Sequence, residues 1–131
     1  MNTKLDKILA EISAGELIDK ITILEIKKNK ISDENKLKEI DKELSSLNYT
    51  MNKSILEKSK ILTFKDQLKE INQKLWEIED SKRMAEKNND FGKEFIELAR
   101  NVYKLNDERA RIKLKINEIL GSNIKEIKSH F

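Results

Sequence analysis

The chain has 131 residues, of which 39% are charged and 37% apolar, with a formal net charge of +3, no cysteine and one histidine. That length suits one domain spanning residues 1–131, and the missing cysteines exclude disulfides, thiolate catalysis and the usual zinc ligand sets. Lysines alternate with acids, as in KKNKISDENKLKEIDKE, so no basic stripe points to nucleic acid.

With no proline and only three glycines, the backbone has few breakers, and Lys, Glu, Leu and Ile favour helix throughout. The fold class is all-α. No apolar run approaches the roughly 20 residues that span a bilayer. MNTKLDKILAEIS lacks the uninterrupted apolar stretch of a signal peptide. A cytoplasmic protein without membrane association is expected.

In chain order, Leu5, Ile8, Leu9 and Ile12 suit either a short helix or an extended arm over residues 1–12. Ser13-Ala-Gly-Glu16 has the spacing of a capping box, which starts a first helix. Leu17, Ile21, Leu24 and Ile31 mark its apolar face, broadened by Ile18, Ile23 and Ile26. Ser32, Asp33 and Glu34 start a second helix carrying Leu37, Ile40, Leu44, Leu47 and Met51, expected to run to Lys60. Thr63 is a candidate cap for a third helix, with Phe64, Leu68, Ile71, Leu75 and Ile78 on one face. The polar run KNND closes it, Asp90 is a candidate cap for the fourth, and Gly121 stops that last helix. Short loops predict an antiparallel four-helix bundle with a C-terminal tail at 122–131. Its lean apolar content and long seams also suit a homo-oligomer, and with it the alternative of a non-enzymatic interaction module whose charged faces bind another protein.

One position breaks the pattern. Phe91, Phe95, Leu98, Val102, Leu105, Ile112, Ile116 and Ile119 repeat at spacings of three and four, and Arg109 occupies the missing beat. Beside them runs a stripe of Ala99, Tyr103, Asn106, Ala110, Lys113 and Asn117, whose amides need partners if buried. Arg109 has no acid three or four residues away on its own helix, so its partner must come from another. Helix three offers Glu79 and Asp80 in a stripe with Trp76 and Arg83; helix one offers Glu16 and Asp19 near Lys20.

Two readings of Arg109 stay open. It is a structural ion pair that fixes the register of the bundle, or it lines an inter-helix cavity for a small anionic ligand bearing phosphate or carboxylate. The second reading groups Glu79, Asp80, Arg83, Arg100, Tyr103, Asn106 and Arg109 around one site, with Glu16, Asp19, Lys20, Trp76, Asp107 and Lys113 as further candidates. His130 in the tail reads as solvated. A third class is an enzyme. Carboxylates at i and i+3, as in Glu16/Asp19 and Glu77/Asp80, can hold Mg²⁺ against phosphates in all-α nucleotide pyrophosphohydrolases. That pattern needs an ExxE pair followed downstream by ExxD, and Glu94/Glu97 has no such successor. No cofactor is therefore expected, Mg²⁺ entering only under the enzyme alternative. A glycine-flanked serine elbow and a phosphate-binding glycine loop are both missing.

Four stretches, GELIDKITILEIKKNKI at 15 to 31, LWEIEDSKRMAE at 75 to 86, FIELARNVYKLNDERARIKLKIN at 95 to 117 and GSNIKEIKSH at 121 to 130, resemble an uncharacterised family of small bacterial and phage proteins. The resemblance omits the first dozen residues and a middle segment near 45 to 70, and it brings no established activity. It implies that Gly15, Glu16, Asp19, Lys20, Lys27, Trp76, Glu79, Asp80, Arg83, Arg100, Tyr103, Asn106, Asp107, Arg109 and Lys113 belong to characteristic blocks. It also implies a tie to sugar or nucleotide-sugar metabolism.

Overall fold

A computed structural model describes residues 4–130 and consists of four long helices: α1 (Ala14–Lys30), α2 (Glu34–Ser54), α3 (Leu62–Lys87) and α4 (Lys93–Leu120), with a 3-10 turn at Lys58–Lys60. Residues 1–3 of the expected arm and Phe131 of the expected tail lie outside the described residues. The fold is an all-α four-helix bundle. No helix among the described residues is long and apolar enough to cross a membrane.

Local chemistry sets the ends of these helices. Ser13 Oγ accepts from the Glu16 N–H at 3.1 Å, half of the expected capping box; the Glu16 carboxylate turns instead to lysines of α1 and α4. Asp33 Oδ1 accepts from the Lys36 N–H at 3.1 Å and starts α2. Gly121 closes α4 in the left-handed conformation, φ 65°, which glycine adopts without a Cβ penalty. Residues 4–12 are exposed and carry no regular structure, so the described part of the arm is not a helix.

Three boundaries differ from expectation. α2 ends at Ser54 instead of reaching Lys60, because Ile55 and Ile61 on either side of the 3-10 turn both enter the core. α3 accordingly starts at Leu62, directly after buried Ile61, and Thr63 falls inside its first turn instead of capping it. α4 begins after Gly92, and Asp90 Oδ1 accepts from the Gly92 N–H at 3.3 Å within the loop.

The core assembles around α1. Leu17, Ile18, Ile21 and Leu24 pack with Ile40, Leu44 and Met51 of α2, Leu68 of α3 and Ile116 of α4. Full burial of one such side chain contributes roughly 1.5–3 kcal/mol. α1 lies against all three other helices, and α3 pairs with α4. The early part of α1 faces α4, where Gly15 and Asp19 meet Asn117 and Arg109. Its later part faces α3, where Glu25 meets Lys65 and Lys69. Since α1 has only 17 residues, α3 and α4 continue beyond it as a two-helix hairpin. Between Asn72 and Lys113 no residue is fully buried.

Candidate functional site

Where α1 crosses α4, the two backbones approach closely. A Cβ built on Gly15 would lie 2.5 Å from the Lys113 carbonyl oxygen and 3.0 Å from Asn117 Oδ1, so only glycine fits there. The Gly15 N–H uses the opening to donate to Asn117 Oδ1 at 2.6 Å. Asn117 Nδ2 in turn donates to the Lys125 carbonyl at 3.0 Å, which ties the C-terminal tail to the crossing.

One turn further along α1 sits Asp19, 0% exposed. Arg109 answers it with both edges of its fork: Nε donates to Oδ1 at 2.9 Å and Nη2 to Oδ2, while Nη1 donates to Asn106 Oδ1 at 3.4 Å. Asn72 of α3 donates Nδ2 to Asp19 Oδ1 at 2.9 Å and to Thr22 Oγ1 at 3.0 Å, and the Thr22 hydroxyl donates to the Asp19 carbonyl at 2.8 Å. Asp19 therefore joins α1, α3 and α4. Its hydrogen bond raises the Arg109 guanidinium above its ordinary value, against the opposing effect of burial. Among the described residues no buried side-chain nitrogen or oxygen lacks a partner.

Beside this pair, Lys113 bonds two carboxylates, Glu16 at 2.5 Å and Glu126 of the tail at 2.7 Å. Burial of Lys113 opposes its charge, and the hydrogen bonds it donates to Glu126 and Glu16 outweigh that, raising the ammonium above its ordinary value near 10.5. For Glu16 burial works upward, and the hydrogen bond and charge of Lys113 hold the carboxyl below its ordinary value near 4.5. The lowered acid contributes stability above that value and loses it as pH falls; the raised lysine contributes below 10.5 and loses it as pH rises. The charges balance locally: Arg109 against Asp19, and Lys113 against Glu16. Glu126 is a third carboxylate, and Lys20, 3.6 Å from Glu16, a third cation.

The tail crosses this cluster without regular structure. Ser122 Oγ accepts from the Ala14 N–H at 3.0 Å and donates to the Ile124 carbonyl at 2.6 Å. Lys128 pairs with Asp107 of α4 at 2.9 Å. Between α4 and the tail lies a cleft of about 410 Å³ lined by Asn106, Arg109, Ala110, Lys113, Glu126 and Lys128, among others. Arg109 also borders a smaller groove of about 210 Å³, on the side of Trp76, Ile23 and Ile26.

The structure brings together Asn106 and Arg109, and with them Glu16, Asp19, Lys113 and, at the edge, Lys20. Asp107 borders the cluster through Lys128, and half-buried Trp76 lies in the smaller groove. Glu79, Asp80, Arg83, Arg100 and Tyr103 are exposed on the protruding part of the α3/α4 hairpin, away from α1. Glu79 and Arg83 pair with each other there at 2.9 Å, and the partner of Arg109 is Asp19 rather than Glu79 or Asp80. His130 is exposed. Sequence reasoning missed Thr22, Asn72 and Glu126. Asn72 had a weak signal, since it lies four residues after Leu68 and three before Leu75, at the edge of the apolar face; Glu126 had none.

Glu16 and Asp19 share one face of α1, as a metal-binding pair would, but Lys113 and Arg109 already neutralise them. Among the described residues no group of three or more His, Cys, Asp or Glu side chains is arranged to hold a metal ion.

Fold and site together define a small helical bundle whose interior carries a charge-balanced polar cluster closed by its own tail. The chain belongs to DUF6165, a family of unknown function, whose model matches residues 8–130 and so includes the middle segment. No curated protein and no solved structure shows significant similarity to it.

Proposed function

We propose that the protein binds a small anionic ligand, bearing phosphate or carboxylate, in the cleft between α4 and the C-terminal tail. Lys113 takes the anionic group, and Asn106 and Arg109 orient the remainder. The observation that carries this reading is the Glu126 carboxylate: an acid on a segment without regular structure lies against a lysine that Glu16 already neutralises. A cleft of about 410 Å³ is in the size range of small-molecule sites, and a phosphorylated sugar or a nucleotide has the required chemistry. Arg109 adds support, because a buried ion pair is a poor device for stability alone.

The test is calorimetric titration of the full chain with inorganic phosphate, glucose 6-phosphate, uridine diphosphate and glutarate. Saturable binding to the wild type that Lys113→Gln abolishes, with the variant's circular dichroism unchanged, is expected. Heats indistinguishable from dilution for all four probes overturn the reading.

A second reading, a self-associating helical module, rests on a different observation. The α3/α4 hairpin buries no residue fully between Asn72 and Lys113, and it leaves Met84, Phe91 and Ile96 exposed. Sedimentation equilibrium over a hundredfold concentration range decides it: a dimer or higher species supports the module, and a monomer throughout removes it.

A further inference from the structure

We infer that the C-terminal tail is a displaceable cover over this cleft and that Glu126 is an internal stand-in for its ligand, so that tail and ligand compete for Lys113. This inference rests on the anion-binding reading above and adds its regulation.

Three observations carry it. First, Glu126 holds φ at 54°, a left-handed conformation that residues other than glycine adopt only when contacts compensate. The contact in view is the carboxylate on Lys113 at 2.7 Å. Second, the two carboxylates on Lys113 are unequal. Glu16 is fixed on the first turn of α1 and 23% exposed, whereas Glu126 is 45% exposed and sits in a segment without regular structure. An incoming anion would meet Glu126 first. Third, the tail's attachments are of two kinds. Around Ser122 and Lys125 it is tied to the bundle by buried or half-buried groups of α1 and α4, so the chain stays anchored at its base. Over residues 126–130 its attachments include ion pairs of Glu126 to Lys113 and of Lys128 to Asp107, and the intervening Ile127 side chain is 85% exposed. Such a segment can swing on its base while the bundle remains folded.

The ligand class follows from what it replaces. Glu126 presents one carboxylate on a short flexible stem, so the cleft takes a terminal oxyanion, carboxylate or phosphate, and not an anion embedded in a bulky ring system. A ligand that exchanges one carboxylate for another leaves the local charge balance unchanged, and a phosphate adds charge to it.

The experiment compares the wild-type chain with Glu126→Gln, an exposed, near-isosteric change, using inorganic phosphate and glutarate as probes. Two readouts are taken: affinity by calorimetry, and nitrogen-15 relaxation order parameters of residues 126–130 with and without probe. The expected result is tighter binding by Glu126→Gln, by about tenfold if the tail covers the cleft nine-tenths of the time. Saturating probe should also lower the order parameters of residues 126–130 in the wild type but not those of Gly15 or Asn117. Equal affinities with unchanged tail order parameters overturn the competition and leave the anion-binding reading standing. No binding of either probe by either protein overturns both. Binding by glutarate alone or by phosphate alone, with the affinity gain, supports the inference and identifies the oxyanion.

Discussion

The α3/α4 pair is one continuous hairpin, yet its two halves obey different rules. In the half crossed by α1, Asn72, Lys113, Ile116 and Asn117 are buried, and every buried side-chain nitrogen and oxygen described there has a partner. In the protruding half the apolar residues Leu75, Ile78, Leu98 and Val102 are only half-buried, and the charged groups Glu79, Asp80, Arg83 and Arg100 stand in solvent. The spacing of the apolar seam is the same in both, with Arg109 taking one beat of it in the half under α1. What differs is a third helix, and it changes the energetic meaning of each charged residue. An arginine under α1 is part of the structure's accounting for a buried acid, whereas an arginine on the bare hairpin is solvated and nearly neutral to stability.

The largest expected break of this comparison is Arg109→Leu. It completes the apolar seam but leaves Asp19, 0% exposed, without the cation bonded to it, and breaking a buried pair in this way costs about 3–5 kcal/mol. Denaturant unfolding should therefore show a marked loss. The double change Asp19→Leu with Arg109→Leu removes both charges, and Asn72 keeps its bond to Thr22. Most of the loss should return. If the single variant is as stable as the wild type, Asp19 is not the buried anion described, and the contrast between the halves fails.

Next in size is Gly15→Ala. In an isolated helix the change is favourable by up to about 1 kcal/mol. Here the new methyl meets the Lys113 backbone, which cannot move aside as a flexible side chain would, and α1 must lift from α4. A net loss of roughly 1–3 kcal/mol is expected, as for other overpacked cores. Because the lift also stretches the Gly15 to Asn117 bond, exchange at the Gly15 amide should speed up by more than the global destabilisation explains. A neutral or stabilised variant would mean that the crossing has slack.

The sequence made the helices and the oddity of Arg109 legible, because periodicity and capping are local properties. Arg109 stands out by its place in the apolar seam with no acid three or four residues away, and the true partner, Asp19, is among the alternatives the sequence offers. Grouping it with Glu79, Asp80, Arg83, Arg100 and Tyr103 assumed that neighbouring stripes on helices three and four face a common interior. Whether they do depends on where α1 ends, and α1 is too short to cover them. Helix length against helix length is a three-dimensional fact that no single helix's pattern contains. Glu126 was invisible for another reason: a tail without periodicity gives no face to read, and its position is set by Asn117, Ser122 and Lys113 together.

The smallest expected effect sharpens the same contrast from the other side. Arg83 is 79% exposed and its pair with Glu79 is an i,i+4 contact in water, so Arg83→Ala should change stability by about 0.3–0.5 kcal/mol. For a chain of this length that is a shift of about 1–2 °C in the unfolding midpoint, and added salt should shrink it further. The comparison with Arg109→Leu isolates burial, since both changes remove an arginine bonded to one carboxylate on the same helical hairpin or across from it. A loss of several kcal/mol from Arg83→Ala would require the protruding hairpin to be covered in solution. In this fold a second copy of the chain laid along the half-buried seam could supply that cover, and the measurement would then be repeated on the dissociated protein to see the effect fall.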